Sequence, residues 1–390
     1  MSSSGDSIAV GAGLVRFLSH DGDLLASLPF GNNVVMTPDG SAIVSSYGSS
    51  MYFFRQNLTD NASQISEIWD TQMSAPVSSI SITKSGNMLV FSSGGSGYLN
   101  IFSSDGHCLG VNNKSYYSVV HVSSDGRVIV GLSQAGVTIF DRNGHSRKTF
   151  NLSIVSEPTN MVLTSDGKTV FFNDAQRVWS ASTVTGDGIW SSLASGDINS
   201  MAASPSGSDV VVGTANGYVD HFDAKGNLTW EYNTKENDSQ GSMVQCVDLS
   251  NNGGFIGVGT FDGKTLLLSS EGNLIWSNQT NDHIRHIAVN NDGSFIVASG
   301  DSTIYAYNSN NDIVQNPSLP GPVLTALPPE ESENTGYPFN PAAASTSSPT
   351  DFSQHSTVET VQGTPLSPAT VWIALGVIVF VFCRNYEKSR

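Results

Sequence analysis

The chain has 390 residues, enough for two or three average domains, but only 13% of them are charged and 38 are glycine. This composition favours many short strands with tight turns and argues against long surface helices. A formal net charge of −17, with Lys and Arg spread thinly and no basic cluster in the sequence before the C-terminal tail, argues against nucleic acid as a partner.

A unit of about 40 residues repeats along the first part of the chain. In the copy at 198–234, four short runs (MAAS, DVVVGT, YVDHFD and LTWEY) are separated by turn residues such as Ser206-Gly207 and Asn216-Gly217. Apolar runs and period-two alternation bounded by Gly, Asn and Asp are typical of strands joined in hairpins. Four such strands in each unit match one blade of a β-propeller.

The turn that opens each unit keeps its phase in eight copies. Its glycines are Gly5, Gly40, Gly86, Gly126, Gly167, Gly207, Gly253 and Gly293. One such unit cannot bury both faces of its sheet, so neighbouring units arranged in a ring must supply the core. The sequence therefore predicts an all-β, eight-bladed propeller of four-stranded blades over residues 1–315, with seven blades as the alternative.

The first unit starts in mid-blade, because Ser4-Gly5 is already the turn that follows an innermost strand. No cationic segment and no apolar leader precede it, so no signal peptide is visible. Two explanations stay open. Either a strand and a signal sequence lie upstream, which we favour, or residues 322–327 (PVLTAL) supply the strand and close the ring.

Two insertions interrupt the repeat. Residues 57–69 lengthen a hairpin loop of the second unit, and residues 235–243 lengthen the connection after the sixth unit. Loops are where a rigid scaffold usually carries its specific contacts. These two segments are the predicted variable binding elements, and solvated loops without a partner are the alternative.

The composition changes after residue 315. Residues 316–368 hold ten prolines among Ser, Thr, Ala and Glu, a composition that cannot bury a core and is typical of a disordered, semi-stiff stalk. Residues 369–383 (ATVWIALGVIVFVFC) are uncharged and predict a transmembrane helix, although about 22 Å at 1.5 Å per residue is short for a bilayer core. The basic tail at 384–390 predicts a cytoplasmic C-terminus and an extracellular propeller.

Seven sequons are glycosylation candidates if the propeller is exported. They are Asn57, Asn61, Asn113, Asn151, Asn227, Asn237 and Asn278. A chain so rich in Asn, Ser and Thr acquires about this many by chance, so they are compatible with an outside location without indicating it.

No catalytic, cofactor-binding or metal-binding residue is predicted. The Asp-Gly pairs (at Asp21, Asp39, Asp105, Asp125, Asp166, Asp262 and Asp292) lack calcium-loop spacing and fit tight turns instead. The histidines, His283 and His286 included, form no metal or triad motif. The cysteines Cys108, Cys246 and Cys383 show no zinc spacing, and a Cys108–Cys246 bridge would join non-adjacent units.

A large aromatic recurs near the end of several units. Trp190, Trp230 and Trp276 each lie 23 residues after their turn glycine, and Trp69 matches once the insertion is removed. Phe150 is one residue out of register, while Leu28 and Leu109 occupy the position in two other copies. A flat side chain at a fixed place in the blade predicts packing between adjacent blades.

The segments FDAKGNLTWEY and SSEGNLIWSNQT resemble the tryptophan-docking repeats of pyrroloquinoline-quinone-like propellers, and AVNNDGSFIVASGD is similar to WD-like and YVTN propellers of archaeal surface layers. The stalk and anchor also resemble the ends of archaeal cell-surface proteins. The resemblance implies a ring that is usually eight-bladed. Quinoprotein dehydrogenases of this kind use adjacent cysteines and calcium ligands, which find no match here, so the fold carries over and the cofactor does not.

The sequence therefore favours a membrane-anchored, surface-displayed propeller glycoprotein that acts as a non-catalytic binding or scaffold module for protein or glycan. Two alternatives remain. One is a quinoprotein-like enzyme or redox protein. The other is a tail-anchored cytoplasmic scaffold, which the basic tail opposes because Arg384, Lys388 and Arg390 would have to cross the membrane.

Overall fold

The computed structural model describes residues 1–19, 24–59, 62–93, 97–150, 159–234, 242–301, 303–308 and 313–315. These residues contain thirty strands in eight antiparallel sheets within one compact unit. The prediction of an all-β, eight-bladed propeller is confirmed. In the described part of the chain, no helix is apolar and long enough to cross a membrane. The predicted stalk, helix and tail lie outside the described residues and remain predictions.

The blades follow one another in chain order. The first blade contains β1 (Ser7–Ser19) and β2 (Leu24–Gly31). The second contains β3 (Asn33–Met36), β4 (Ala42–Tyr47), β5 (Ser50–Thr59) and β6 (Ala62–Gln72). The third contains β7 (Val77–Ile82), β8 (Met88–Ser93), β9 (Tyr98–Ser103) and β10 (Cys108–Asn112). The fourth contains β11 (Val119–Val122), β12 (Ile129–Ser133), β13 (Gly136–Phe140) and β14 (Ser146–Phe150).

The second half of the ring repeats this plan. The fifth blade contains β15 (Met161–Leu163), β16 (Thr169–Asp174), β17 (Arg177–Ser182) and β18 (Gly188–Leu193). The sixth contains β19 (Ile198–Ala203), β20 (Asp209–Thr214), β21 (Tyr218–Asp223) and β22 (Leu228–Asn233). The seventh contains β23 (Val244–Leu249), β24 (Phe255–Thr260), β25 (Lys264–Ser269) and β26 (Leu274–Gln279). The eighth contains β27 (His286–Val289), β28 (Phe295–Ser299), β29 (Ile304–Asn308) and β30 (Ile313–Gln315).

The core lies between blades. One cluster joins Val130 and Ile139 of the fourth blade to Phe172 of the fifth, and the other junctions have similar clusters. The second and third strands of a blade are buried on both faces, which explains their β-branched and aromatic content. Burying one such side chain contributes about 1.5–3 kcal/mol, so each blade is stabilised mainly by its neighbours.

A β-bulge recurs in the outermost strand of the blades. In seven sheets the ladder between the third and fourth strands shifts register at the same place, and in the first blade the ladder of β1 and β2 shifts at the equivalent position. In the sixth blade, His221 pairs with Trp230 while Phe222 pairs with Leu228, which leaves Thr229 as the extra residue. A bulge on an edge strand increases its twist and discourages pairing with a second sheet.

Backbone hydrogen bonds link the opening turns of successive blades. The N–H of Lys84 donates to the carbonyl of Ser124, the N–H of Ser124 to Ser165, and the N–H of Ser165 to Pro205. The N–H of Asn291 in the eighth blade donates to the carbonyl of Ser3 (2.9 Å). The N–H of Ser3 donates in turn to Pro38 of the second blade (2.7 Å), so the described chain closes the ring.

The first blade lies between the eighth and the second. Ile8 of β1 packs with Phe295, and Phe17 packs with Phe54. The segments SIAVG (7–11) and LVRFL (14–18), where the repeat pattern predicts two strands, both fall within β1, which pairs with β2 over Gly13–Leu18. The predicted closing segment 322–327 lies outside the described residues.

Tight turns within the blades explain the Asp-Gly pairs. The Thr164 hydroxyl donates to the Asp166 carboxylate (2.8 Å) and accepts the N–H of Thr169, while Asp166 also accepts the N–H of Lys168. The same Ser/Thr-to-Asp bond recurs at Asp39, Asp105, Asp125 and Asp262. These carboxylates close their own turns, as the sequence predicted, and Asp21 lies outside the described residues.

The insertion in the second unit does not form a loop. The ladder of β5 and β6 continues to the pair Thr59–Ala62, so the described part of the insertion extends these two strands, and residues 60–61 lie outside the described residues. Ile65 of the insertion packs beside Phe54. In the second insertion, residues 235–241 lie outside the described residues.

Candidate interaction site at the junction of the fourth and fifth blades

Three tryptophans dock on the following blade. The indole N–H of Trp69 donates to the carbonyl of Ser104 (3.0 Å), that of Trp190 to Ala224 (3.0 Å) and that of Trp230 to Ser270 (2.8 Å). Each ring covers a turn glycine of that next blade: Gly106, Gly226 and Gly272 respectively. The prediction that this aromatic packs between adjacent blades is confirmed.

The docking position is different from the predicted one in three blades. Pairing with the third strand places Ala26, Gly110 and Lys148 there. The assignments of Leu28, Leu109 and Phe150 were wrong because the turns between strands differ in length from blade to blade, so distance from the turn glycine does not give the register. Phe150 is instead buried in the core between blades, and Leu109 is an exposed bulge residue.

Lys148 repeats the docking geometry with a different side chain. Its Nζ donates to the carbonyl of Thr185 (3.0 Å) in the fifth blade, and its methylene chain lies over Gly186. Its ammonium also lies 3.5 Å from the carboxylate of Asp187. Lys148 therefore makes the same type of hydrogen bond as a docked indole but fills much less space.

A groove of about 450 Å³ lies at this junction. Val128 and Val184 contribute apolar surface to it, and the buried core residue Ile139 borders it. Charged side chains form much of its lining: Asp125, Arg127, Arg147, Lys148, Asp166 and Lys168. No basic cluster is visible in the sequence of the repeats, because cations from two repeats meet only where the blades pack.

The cations of the groove are only weakly engaged within the protein. Arg127 lies 3.4 Å from Asp125, and Lys168 lies 3.2 Å from Asp166, in solvent-exposed pairs. Backbone N–H groups of Arg127 and Lys168 hold the pKa of these two carboxyls below its usual value. Exposed ion pairs of this kind contribute about 0–1 kcal/mol. Arg147 has no partner among the described residues.

Charge is unevenly distributed around the ring. Residues 113–198, which include the fourth and fifth blades, carry seven Lys/Arg and seven Asp/Glu. Residues 199–315 carry four Lys/Arg and thirteen Asp/Glu. The groove therefore lies in a neutral sector of a strongly acidic protein, where an anionic ligand is repelled least.

The sixth blade contains a hydroxyl, an imidazole and a carboxylate in contact. His221 Nδ1 lies 2.6 Å from the Thr229 hydroxyl, and its Nε2 lies 3.3 Å from the Asp209 carboxylate. The imidazole also stacks on Trp230. The equivalent residues of the seventh blade are Phe255, Leu267 and Ile275, so this cluster replaces apolar packing within a blade. Sequence reasoning missed it because the three residues share no motif.

Two carboxylates share a hydroxyl beside the sixth blade. Asp220 and Glu231 are direct cross-strand partners, and both contact the Ser195 hydroxyl. Asp220 is fully buried and accepts the N–H of Ser195 (2.6 Å). Burial, reinforced by the Glu231 charge, raises the pKa of Asp220. One hydroxyl proton cannot serve both carboxylates, so this arrangement favours a protonated partner.

The sequons differ in exposure. Asn113 and Asn227 are exposed, although the Asn227 amide donates to Asp223 (2.8 Å), and Asn278 is half-buried in β26. The backbone of Asn57 lies in β5, but its side chain is not among those described. Asn61, Asn151 and Asn237 lie outside the described residues. Glycosylation stays a prediction for all seven.

The described histidines and cysteines do not assemble into a metal site. Across these residues, no group of three or more His, Cys, Asp or Glu is arranged to hold a metal ion. Cys108 is exposed, Cys246 is buried and both are free, so they are not joined. Burial raises the pKa of the Cys246 thiol, which makes it an inert core residue.

A family model described as "Outer membrane protein assembly factor BamB", of the PQQ-like repeat type, matches residues 66–252. Over these residues the chain resembles the PQQ-like propellers. No curated protein matches the chain.

Solved structures show the same fold. Sqt1 of Chaetomium thermophilum, bound to the N-terminus of the ribosomal protein L10, superposes with a TM-score of 0.67 at 14% identity, covering 78% of this chain and 93% of that one. Another Sqt1 structure gives a TM-score of 0.65 at 14% identity, covering 79% and 96%. This similarity extends to the fold alone.

Proposed function

We propose that this protein is a membrane-anchored, surface-displayed propeller that binds a protein or a glycan and catalyses no reaction. The observation that carries the binding function is the groove at the junction of the fourth and fifth blades, where a surface cavity of about 450 Å³ combines apolar and charged lining. Its volume lies within the range of small-ligand sites, about 300–1,000 Å³. The matching family model bears the name of an assembly factor, and Sqt1 holds a protein terminus.

The proposed location rests on the sequence beyond the propeller. The uncharged segment 369–383 followed by Arg384, Lys388 and Arg390 favours a single-pass anchor with the propeller outside the cell. Protease added to intact cells should remove the propeller and leave a cytosolic marker protein intact. A propeller that stays protected until the cells are lysed contradicts surface display and favours the tail-anchored cytoplasmic scaffold.

The non-catalytic role is tested against the quinoprotein alternative. The purified full chain should show no absorption beyond that of its aromatic residues, and a calcium chelator should leave its thermal midpoint unchanged. A bound-cofactor spectrum, or a midpoint that falls on chelation and returns with calcium, would favour the redox protein instead. Capture of a partner by the wild-type chain, and its loss when the groove is altered, would support the binding role.

A further inference from the structure

We propose that the groove between the fourth and fifth blades binds an acidic peptide segment, a step that rests on the proposed binding function. Side-chain carboxylates of the peptide contact Arg147, Arg127 and Lys168. An aliphatic side chain of the peptide lies on the apolar surface formed by Val128 and Val184.

The groove is a consequence of the residue at the docking position. At the junctions of the fifth with the sixth and of the sixth with the seventh blade, indoles lie over the turn glycines. Here Lys148 keeps the hydrogen bond to the next blade but leaves the volume of the ring system open. The equivalent space is thus available to a ligand without any rearrangement of the blades.

Three cations are available to a ligand, and each comes from a different element. Arg127 lies in the turn before β12, Arg147 lies at the bulge of β14, and Lys168 lies in the turn before β16. Arg127 and Lys168 have side chains that are 82% and 71% exposed. Their pairs with Asp125 and Asp166 are weak enough for an incoming carboxylate to compete. Arg147, without a described partner, is the principal anchor.

The lining favours a peptide over a polyanionic sugar. Val184 is 75% exposed beside the groove, and an exposed aliphatic surface of this kind gains from covering by an apolar side chain. The carboxylates of Asp125 and Asp166 also lie in the lining and would repel a ligand of uniformly high negative charge. An Asp/Glu-rich segment with an aliphatic residue satisfies both features.

The test uses the full chain in detergent and a dye-labelled peptide in which one leucine is flanked by two glutamates on each side. Fluorescence anisotropy should show saturable binding at low salt that weakens as salt is raised, because exposed charges are screened. A peptide with glutamines in place of the glutamates should bind at least tenfold more weakly. Arg147→Glu should weaken binding on the order of tenfold.

Lys225→Glu is the matched control, because Lys225 is exposed on the third-to-fourth strand turn of the sixth blade and changes the net charge equally. It should alter the dissociation constant less than twofold. Equal losses from both reversals would overturn the proposal, because they would reflect net charge alone. Failure of the glutamate peptide to bind would overturn it too, as would stronger binding of a sulfated oligosaccharide at the same site.

Lys148→Trp provides a second variant that acts by volume. An indole placed over Gly186 should fill the groove, raise the thermal midpoint and abolish peptide binding. A stable Lys148→Trp protein that binds the peptide as the wild type does would overturn the groove as the site. These outcomes are independent of the protease experiment, so a cytoplasmic propeller can still bind the peptide and a surface-displayed one can fail to.

Discussion

The junction between the fourth and fifth blades and the junction between the sixth and seventh are held by different side chains at the same position of the blade. Lys148 and Trp230 each donate to a carbonyl of the next blade, at 3.0 and 2.8 Å, and each lies over a turn glycine. The indole also stacks on His221 and joins the core between the blades. The lysine side chain stays 46% exposed.

The difference between lysine and tryptophan shows that the docking residue has two roles, namely holding neighbouring blades in register and filling the space between them. The hydrogen bond and the contact with glycine hold neighbouring blades in register, and lysine performs both. Filling the space between blades requires the ring system, and lysine leaves a groove in its place. A propeller can therefore lose a docking tryptophan at one junction without opening the ring, and that junction gains a groove.

Removing the two docking side chains gives the largest contrast. Trp230→Ala should lower the free energy of unfolding by about 3 kcal/mol, because it deletes a large packed ring and a hydrogen bond. Lys148→Ala should cost about 1 kcal/mol, because it loses one hydrogen bond and an exposed ion pair. Urea unfolding followed by tryptophan fluorescence and circular dichroism measures both. Equal losses would contradict the separation of roles.

A buried histidine at the junction between the fourth and fifth blades predicts that the free energy of unfolding depends on pH. The imidazole of His121 on β11 hydrogen-bonds the backbone of Met161 in the fifth blade, and burial lowers the pKa of His121 to about 4. Between pH 6.5 and 4 the unfolded chain binds a proton that the folded chain refuses, so stability falls as pH drops through this window. The loss should reach about 2–3 kcal/mol at pH 4.

His121→Asn keeps a donor for Met161 without the titration, so it is the matched comparison for this effect. Its free energy of unfolding should change less than that of the wild type between pH 6.5 and 4. Parallel pH curves for the two proteins would show that the pKa of His121 is the same in the folded and the unfolded chain, which would contradict the predicted effect.

The two glycines beneath the docking side chains have similar backbone angles but different neighbours. Gly272 and Gly186 have φ values of +78° and +73°, so an alanine at either is strained by the backbone to the same degree, about 1 kcal/mol. At Gly272 the added Cβ would lie 2.6 Å from the rigid indole of Trp230, whereas at Gly186 it meets the flexible chain of Lys148.

Gly272→Ala should therefore cost about 2–3 kcal/mol and Gly186→Ala about 1 kcal/mol, since a lysine chain can move aside and an indole in a packed junction cannot. Thermal unfolding of the two variants side by side measures the gap. If Gly186→Ala lowers the thermal midpoint more than Gly272→Ala does, Lys148 is held at least as rigidly as the indole. That result would contradict the proposed difference between the two side chains.

The smallest expected effect is at the junction between the fifth and sixth blades, where Ser195 bridges Asp220 and Glu231. The pKa of Asp220 is raised, so the folded protein holds a proton that the unfolded chain releases, and stability falls as pH rises above the ordinary carboxyl range. Asp220→Asn should remove that slope and gain about 1 kcal/mol relative to the wild type between pH 4 and 7.

Asp223→Asn is the control of opposite sign. The Asn227 side chain holds the pKa of Asp223 below its usual value, so the wild-type carboxylate favours the folded state once ionised. The Asp223→Asn protein should lose stability relative to the wild type as pH rises. A gain with rising pH in both variants would point to general charge repulsion instead of the Ser195 cluster.

The repeat period was sufficient to predict the ring, because Gly5 to Gly293 keep their phase over eight units and each unit contains the alternation of a hairpin. The docking residue required the register of the outer strand, and a shorter turn between β12 and β13 displaced the prediction from Lys148 to Phe150. Aligning the repeats on the third strand instead of on the turn glycine would have placed Lys148 opposite the tryptophans.

The groove could not be predicted because it depends on packing between units. Arg127, Arg147 and Lys168 lie apart in two repeats, and none has an unusual neighbour in sequence. Only the contact of the fourth blade with the fifth brings their side chains to one cavity. The stalk, the anchor and the orientation across a membrane stay predictions from composition and tail charge.

Ser3 joins parts of the ring that lie far apart in the sequence. Its hydroxyl accepts the side-chain amide of Asn251, a residue 248 positions away, and its backbone joins Asn291 to Pro38. Each blade folds from neighbouring segments, whereas this seam must await nearly all of the propeller because it is so non-local. Forming this seam therefore carries a high loop-closure cost in folding, because it joins segments so far apart in the sequence.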